Sequence, residues 1–128
     1  MISVIIPVLN EATGIASTLE HLLALKGDYE VIVVDGGSTD DTAAIASRYA
    51  RVLSSQRGRA RQMNRGAEEA KGDTLLFLHA DTLLPSEAMA AIEAALVNPQ
   101  VVGGRFKVHL DHPGWAYRVI GFSINLRD

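Results

Sequence analysis

Apolar residues along the chain fall into short runs separated by amphipathic segments. The run ISVIIPV at residues 2–8 is β-branched and almost unbroken, and EVIVVD at residues 30–35 has the same character. Such runs are typical of strands buried on both faces of a parallel sheet. Between them, Ile15, Leu19 and Leu22 recur at helical spacing. The pattern therefore predicts a strand, a helix and a second strand.

The same alternation continues through the rest of the chain. The pattern predicts strands at residues 51–55 and 74–79, a bent strand at residues 101–110, and helices at residues 38–49, 59–71, 86–97 and 115–127. Strands that alternate with helices predict an α/β fold, with a doubly wound, mostly parallel, Rossmann-like sheet in a three-layer α/β/α arrangement.

Two of the predicted helices carry signals for their first turn. Asn10 stands where the first helix would be capped, and Ser38 with Asp41 three residues later resembles a capping box. Both residues stand two or three positions after the end of a predicted strand. We therefore expect short loops in which these side chains bind the first turn of the next helix.

Composition narrows the class of protein. A chain of 128 residues that is 48% hydrophobic has the size of one domain. The net charge of −3 argues against a nucleic-acid partner, and no apolar segment reaches the roughly 18 residues that cross a bilayer. The sequence has no cysteine and no basic, signal-like start. These features predict a cytoplasmic protein.

Acidic residues stand where two of the predicted core strands end. Asp35 closes the run EVIVVD, and Asp81 follows the run TLLFLH. Because the carboxyl ends of parallel strands meet at one edge of a sheet, both aspartates should lie on the same rim as Asn10 and Glu11. Ligands of doubly wound sheets bind at that edge, so we expect a cleft there.

Arginines are concentrated before the predicted strand at residues 74–79. Six of the twelve basic residues lie between residues 48 and 65. They are either a solvated helix face or an anion site, because guanidinium groups match phosphate oxygens. Neither a P-loop nor the dinucleotide motif G-x-G-x-x-G is present. Phosphates would therefore be held by arginines and by a divalent cation on a carboxylate.

Four ordered motifs resemble a known family. IIPVLNE, VVDGGSTDDT, RGRARQMNRGA and LHADT are similar to the nucleotide-sugar half of family 2 glycosyltransferases of the GT-A fold, in a subgroup with an LHAD variant of the D-x-D motif. The resemblance covers about residues 1–110. It implies that these residues form a nucleotide-sugar-binding domain and that residues 111–128 form a helical segment at the start of an acceptor region.

The resemblance also implies a reaction and a set of site residues. The reaction is metal-assisted transfer of a sugar, with inversion, from a nucleotide diphosphate sugar, usually a UDP-sugar, to an acceptor that the sequence does not identify. Donor-binding positions map to Pro7, Leu9, Asn10 and Glu11 for the nucleoside, to Asp35, Gly37 and Ser38 for the base, and to Arg59, Arg61 and Asn64 for the diphosphate.

The D-x-D position is occupied by His79, Ala80 and Asp81. The resemblance makes Asp81 the catalytic metal ligand and places His79 and Ala80 against the donor, with His79 as a candidate second ligand of Mn²⁺ or Mg²⁺. A histidine in place of the first acid removes one negative charge, so such a site should hold a hard cation less tightly.

Each site residue also has a purely structural interpretation. Asp35 could form a turn and a helix cap, Asp81 could cap the next turn, and His79 could be a hydrogen-bonded structural residue. Asn64 and Gly66 could serve only close packing of their helix. The segment at residues 115–126 is either a helix packed on the sheet or a helix on the inner membrane face, and its apolar surface could also drive homo-oligomer formation.

Two other functions remain open at this point. One is a nucleotidyltransferase that makes nucleotide sugars, although such proteins usually have a glycine-rich loop where this chain has VLNEATG. The other is a non-catalytic nucleotide-binding or regulatory module, including a receiver phosphorylated on Asp35. After Glu93 the only acids are Asp111 and Asp128, and neither resembles the usual base motif of inverting enzymes. We therefore expect a truncated chain.

Overall fold

A computed structural model of the chain describes residues 1–96, 104–108 and 119–125. Strands and helices alternate over most of this length, as the hydrophobic pattern predicts. The elements are β1 (Ile2–Val8), α1 (Ile15–Leu23), β2 (Tyr29–Asp35), α2 (Thr42–Ala46), β3 (Arg51–Ser54), α3 (Arg59–Glu69), β4 (Thr74–Phe77), α4 (Ala88–Leu96), β5 (Gly104–Val108) and β6 (Val119–Asn125).

All six strands belong to one sheet in the order β3-β2-β1-β4-β6-β5. The first four are parallel, so their carboxyl ends lie at the same edge. Strand β6 runs antiparallel to β4, and β5 runs antiparallel to β6. The prediction of an α/β fold with a mostly parallel sheet is confirmed.

Two hydrophobic clusters on opposite faces of the sheet make the three layers. On one face, alternate residues of β1 pack with apolar residues of α1, α2 and α4. On the other face, residues that include Ile5, Val34 and Phe77 pack with α3. The contact with α3 is close because Gly66 has no side chain: a Cβ there would lie 2.5 Å from Ile5 Cγ2.

The helix predicted at residues 115–127 is wrong for Val119–Asn125, which form strand β6. Ile120, Phe122 and Ile124 alternate with Gly121, Ser123 and Asn125, a two-residue period that suits a pleated strand. Pairing with β4 also satisfies backbone groups that an edge strand would leave unpaired. The helix on which the membrane-surface interpretation rested is therefore absent over Val119–Asn125. Membrane association and homo-oligomer formation stay predictions.

The rest of that prediction, at residues 115–118, 126 and 127, lies outside the described residues. The assignment of residues 111–128 to the start of an acceptor region stays a prediction. No helix in the described part of the chain is long and apolar enough to cross a membrane.

A polar network closes the amino edge of the sheet, opposite the predicted cleft. The Ser3 hydroxyl donates to Glu30 Oε2 (2.6 Å), and the Lys71 backbone N–H donates to the same oxygen (2.6 Å). The Gly72 N–H donates to Ser3 Oγ (2.8 Å). Burial alone raises the pKa of Glu30, but these hydrogen bonds to the carboxylate outweigh it, and the net pKa is lowered from 4.5.

The Glu30 network predicts a specific pH dependence of stability. Because the folded-state pKa lies below the unfolded one, the stabilisation is complete above about pH 4.5 and is lost as the pH falls through the folded-state value. In Glu30→Gln this part of the acid loss should disappear, as measured by urea unfolding between pH 7 and pH 3. Glu68→Gln, the same change at an exposed site on α3, should keep the wild-type profile. Equal acid losses in Glu30→Gln and the wild type would contradict the assignment.

Candidate functional site

The loops that follow β1 and β2 are bound to each other at the carboxyl edge. Asn10 adopts a left-handed backbone conformation (φ 53°), which asparagine tolerates better than most residues. Its Oδ1 accepts a hydrogen bond from the Thr39 N–H (2.8 Å), and its own N–H donates to Ser38 Oγ (2.9 Å). The Glu11 N–H donates to Thr42 Oγ1 (2.8 Å). The two loops therefore form one rigid wall.

These contacts correct both predictions about helix caps. Helix α1 begins at Ile15, with Gly14 as its N-cap, and α2 begins after Asp41; neither has a side-chain cap. Asn10 and Ser38 bind across the two loops instead. A tertiary hydrogen bond has replaced the local one that the spacing indicated.

Asp35, the last residue of β2, is buried at the base of this wall, with 8% of its surface exposed. The Ser38 N–H and hydroxyl both donate to its carboxylate. Gly37 has a φ of +98°, a left-handed conformation that makes this tight turn accessible. Asp35 thus stabilises a turn, as its structural interpretation predicts. Ser38 connects it to Asn10.

Gln62 fills the space between the ends of β1 and β2. Its Nε2 donates to the backbone oxygens of Val8 and Val34, both at 2.9 Å, and only 5% of its surface is exposed. The sequence pattern did not indicate this residue. It is a neutral side chain among arginines, and its partners are 28 and 54 residues away along the chain.

Arg59 and His79 form the opposite side of the site. Arg59 Nη2 donates to His79 Nε2 (2.7 Å). Burial is the largest effect on the pKa of His79 and lowers it. The Arg59 guanidinium lowers this pKa further, and the Asp81 carboxylate raises it by less. The imidazole is therefore neutral at pH 7 and accepts this hydrogen bond. Ligation of a metal by Nε2 would require Arg59 to move.

Helix α1 holds the loop that carries Asp81. The Thr18 hydroxyl donates to the Ala80 backbone oxygen (2.6 Å), and His21 Nε2 bonds to the Leu84 backbone oxygen at the same distance. Ala80 is buried by this contact, whereas Asp81 is exposed. The main chain is fixed, so the Asp81 carboxylate is presented to solvent at the carboxyl edge.

Negative charge is concentrated between the β1 and β4 loops. The pKa of Glu11 is raised by burial and then by the carboxylates of Asp81 and Asp40. These acids therefore lie close enough to repel one another. Among residues 1–96 and the two described strands beyond them, no group of three His, Asp or Glu side chains is placed to hold a metal ion by itself.

A cleft opens among these elements at the ends of β1 and β4 and the first turn of α3. Five of the predicted site residues line it: Pro7, Leu9, Glu11, Arg59 and His79. Its other lining residues are Val8, Gln62, Met63, Phe77 and Leu78. Asp35 at the end of β2, and Asn10 and Ser38 in the bound loops, are not among the lining residues. Asp81, two residues after His79, is not among them either.

Arg61 and Asn64 are not brought into this cleft. Arg61 Nη1 donates to Gln56 Oε1 (2.6 Å), and both Arg61 and Asn64 line a separate depression beside Ser55. The helical period explains this placement, because residues 59, 62, 63 and 66 share one face of α3 and residues 61, 64, 65 and 68 share another.

The two interpretations of the arginine cluster therefore apply to different residues. Arg51 and Arg65 form ion pairs with Glu69 on the surface (both 2.9 Å). These two belong to a solvated face, whereas Arg59 reaches the cleft.

A mostly parallel sheet with a cleft at its carboxyl edge is typical of α/β proteins that bind ligands outside the strand ends. The sequence profile described as Glycosyl transferase family 2 matches residues 3–127. The chain belongs to this family.

Known proteins of similar sequence and structure agree with this assignment. A PGL/p-HBAD biosynthesis glycosyltransferase of Mycobacterium bovis is 38% identical over 104 residues, which are 73% of this chain and 41% of that protein. A mannosyltransferase of Pyrobaculum calidifontis, solved with GDP-Man and Mn²⁺, superposes with a TM-score of 0.71 at 28% identity, over 80% of this chain and 33% of that one.

A third example is the glucosyl-3-phosphoglycerate synthase of Mycobacterium tuberculosis, solved with Mn²⁺, UDP and glucosyl-3-phosphoglycerate. Its TM-score is 0.68 at 28% identity, over 80% of this chain and 42% of that one. The predicted GT-A fold is confirmed. The chain spans less than half the length of each of these three proteins.

Proposed function

We propose that this chain is the donor-binding portion of a glycosyltransferase that transfers a sugar, with inversion, from a UDP-sugar to an acceptor, assisted by a divalent cation. The observation that carries the proposal is the cleft itself. Loops from β1 and β4 and the start of α3 converge there, and each contributes a residue suited to one part of a nucleoside diphosphate.

The wall formed by the β1 and β2 loops suits the nucleoside. Pro7 and Leu9 offer apolar surface, and Asn10 and Glu11 offer polar groups beside it. The Asp35 carboxylate has about four acceptor positions. The Ser38 hydroxyl donates to Oδ1, and the Ser38 N–H is shared between Oδ1 and Oδ2 at 3.2 Å each. Oδ2 keeps acceptor capacity for the N–H of a uracil ring.

The opposite side suits a diphosphate with its cation. Hard divalent cations take carboxylate and phosphate oxygens and keep several waters, so one or two protein ligands suffice. Asp81 supplies an exposed carboxylate, and its repulsion of Glu11 marks a local excess of negative charge. His79 would become a second ligand through Nε2 only if Arg59 left that nitrogen. These residues fit a cation that is shared with the ligand. When bound, that cation would neutralise charge on the departing diphosphate.

Arg59 is the basic residue that the cleft offers to the diphosphate. Its exposed guanidinium can donate to phosphate oxygens while its contact with His79 fixes its position. In transfer of the sugar, charge develops on the leaving nucleoside diphosphate, and a fixed cationic group at that place lowers the barrier.

A nucleotide panel tests the proposal against its alternatives. Calorimetric titration of the chain with UDP, GDP and UTP, with and without Mn²⁺, should show a preference for UDP that Mn²⁺ strengthens about 100-fold, or about 2.7 kcal/mol. Magnesium serves as a second cation. Tighter binding of UTP than of UDP would favour a nucleotidyltransferase. Absence of binding to every nucleotide would contradict the proposal and favour a module with another ligand.

A further inference from the structure

The carboxamide of Gln62 connects three separate segments that border the cleft. Its Nε2 donates to the backbone oxygens of Val8 and Val34, and its Oε1 accepts from the Gly58 N–H (3.3 Å). Val8 leads into the β1 loop, Val34 precedes Asp35, and Gly58 precedes the first turn of α3. One side chain thus fixes the separation of these three segments.

The chemistry of these contacts requires glutamine. Two N–H hydrogens serve two carbonyl acceptors, and one oxygen serves an N–H donor. Glutamate has no donor for the carbonyls, asparagine is one methylene shorter, and methionine fills the volume without the polar atoms. Because the site is buried, any of these changes leaves main-chain groups without their partners.

Gly36 is complementary to this side chain. A Cβ at Gly36 would lie 2.6 Å from Gln62 Oε1 and 2.7 Å from its Cδ. An alanine at position 36 would therefore displace the carboxamide without removing it. Gly36 also follows Asp35 directly, so both partners of this contact border the nucleoside wall.

We propose that Gln62 is a positioning residue for the nucleoside part of the donor. It holds the ends of β1 and β2 so that Asp35 and the Asn10 loop present their polar groups at a fixed distance. The assignment rests on the proposed function. On the cation and diphosphate side, Asp81 and His79 lie on the segment after β4, which is held by α1. Arg59 shares α3 with Gln62 and contacts His79.

Nucleotide affinities of Gln62→Met test this role, with Ser3→Ala as the matched control. Ser3 is also a buried polar residue that bridges segments. It lies at the amino end of β1, far from the cleft at the other end of that strand. In Gln62→Met, the Kd values for UMP and UDP should both rise about tenfold, the effect expected from losing one or two net hydrogen bonds. The gain in UDP affinity from Mn²⁺ should stay at its wild-type value.

The control separates positioning from general loss of stability. Both variants should unfold at lower urea concentration than the wild type, but Ser3→Ala should keep wild-type affinities. If Gln62→Met does not fold, Gly36→Ala displaces the same carboxamide and should weaken UMP and UDP binding equally. Unchanged affinities in the Gln62 or Gly36 variant, while the wild type binds both nucleotides, would overturn this assignment alone. Failure of the wild type to bind either nucleotide would overturn the proposed function and the assignment with it.

Discussion

Asp81→Asn is expected to abolish the Mn²⁺-dependent part of UDP binding, a loss of about 100-fold in affinity at saturating Mn²⁺. Asp81 is exposed and its main chain is held by the Thr18 contact to Ala80, so the amide should leave the fold unchanged. An amide is a much weaker ligand for a hard cation than a carboxylate. Without metal, UDP should bind the variant as well as the wild type or slightly better, because a negative charge beside the diphosphate is gone.

Calorimetry with and without Mn²⁺ measures this effect, and Asp28→Asn is its control. Asp28 is an acid with 78% of its side chain exposed, beside the amino terminus at the other edge of the sheet. The control should retain the full gain from Mn²⁺. If Asp81→Asn retains it too, Asp81 does not hold the cation.

Gly66→Ala is expected to lower the free energy of unfolding by about 1–3 kcal/mol. In an exposed helix the same change would stabilise by up to about 1 kcal/mol. Here the added Cβ would meet Ile5 Cγ2 at 2.5 Å and Val34 Cγ2 at 3.1 Å, in a part of the core where both residues are fully buried. Helix α3 would have to move away from the sheet, and Arg59 and Gln62 would move with it.

Urea unfolding of Gly66→Ala and Gly14→Ala makes this comparison. Gly14 has no atom within 4 Å of an added Cβ and has a φ of −121° that alanine adopts. Because Gly14 is the N-cap of α1, where alanine is less favourable than glycine, the control should lose less than about 1 kcal/mol, and less than Gly66→Ala. A Gly66→Ala variant as stable as the wild type would show that α3 is not packed against the sheet as closely as described.

Strands β1, β2 and β4 could be predicted from the sequence because they are buried on both faces. Strand β1 has the predicted bounds of residues 2–8, since an unbroken β-branched run has no other stable place in a chain of this size. The tail could not be assigned in the same way. Its apolar residues fit a helical and a two-residue period, and pairing with the edge of β4 favours the second.

The candidate site was predictable as far as topology determines it. Asp35 and Asp81 were placed at one edge because parallel strands end there. The contact between Arg59 and His79 and the contacts of Gln62 with Val8 and Val34 join residues 20 to 54 positions apart. Local sequence spacing cannot predict such pairs. The same holds for Asn10 and Ser38, whose short side chains suit a helix cap and a cross-loop hydrogen bond equally well.

Diffraction from crystals of the wild-type chain grown with UDP and Mn²⁺, recorded at the manganese absorption edge, tests the central claim most directly. We expect an anomalous peak within about 2.5 Å of an Asp81 carboxylate oxygen and a uracil nitrogen within about 3.2 Å of Asp35 Oδ2. A manganese ion bound away from Asp81, or a nucleotide outside the cleft between the β1 and β4 loops, would contradict it.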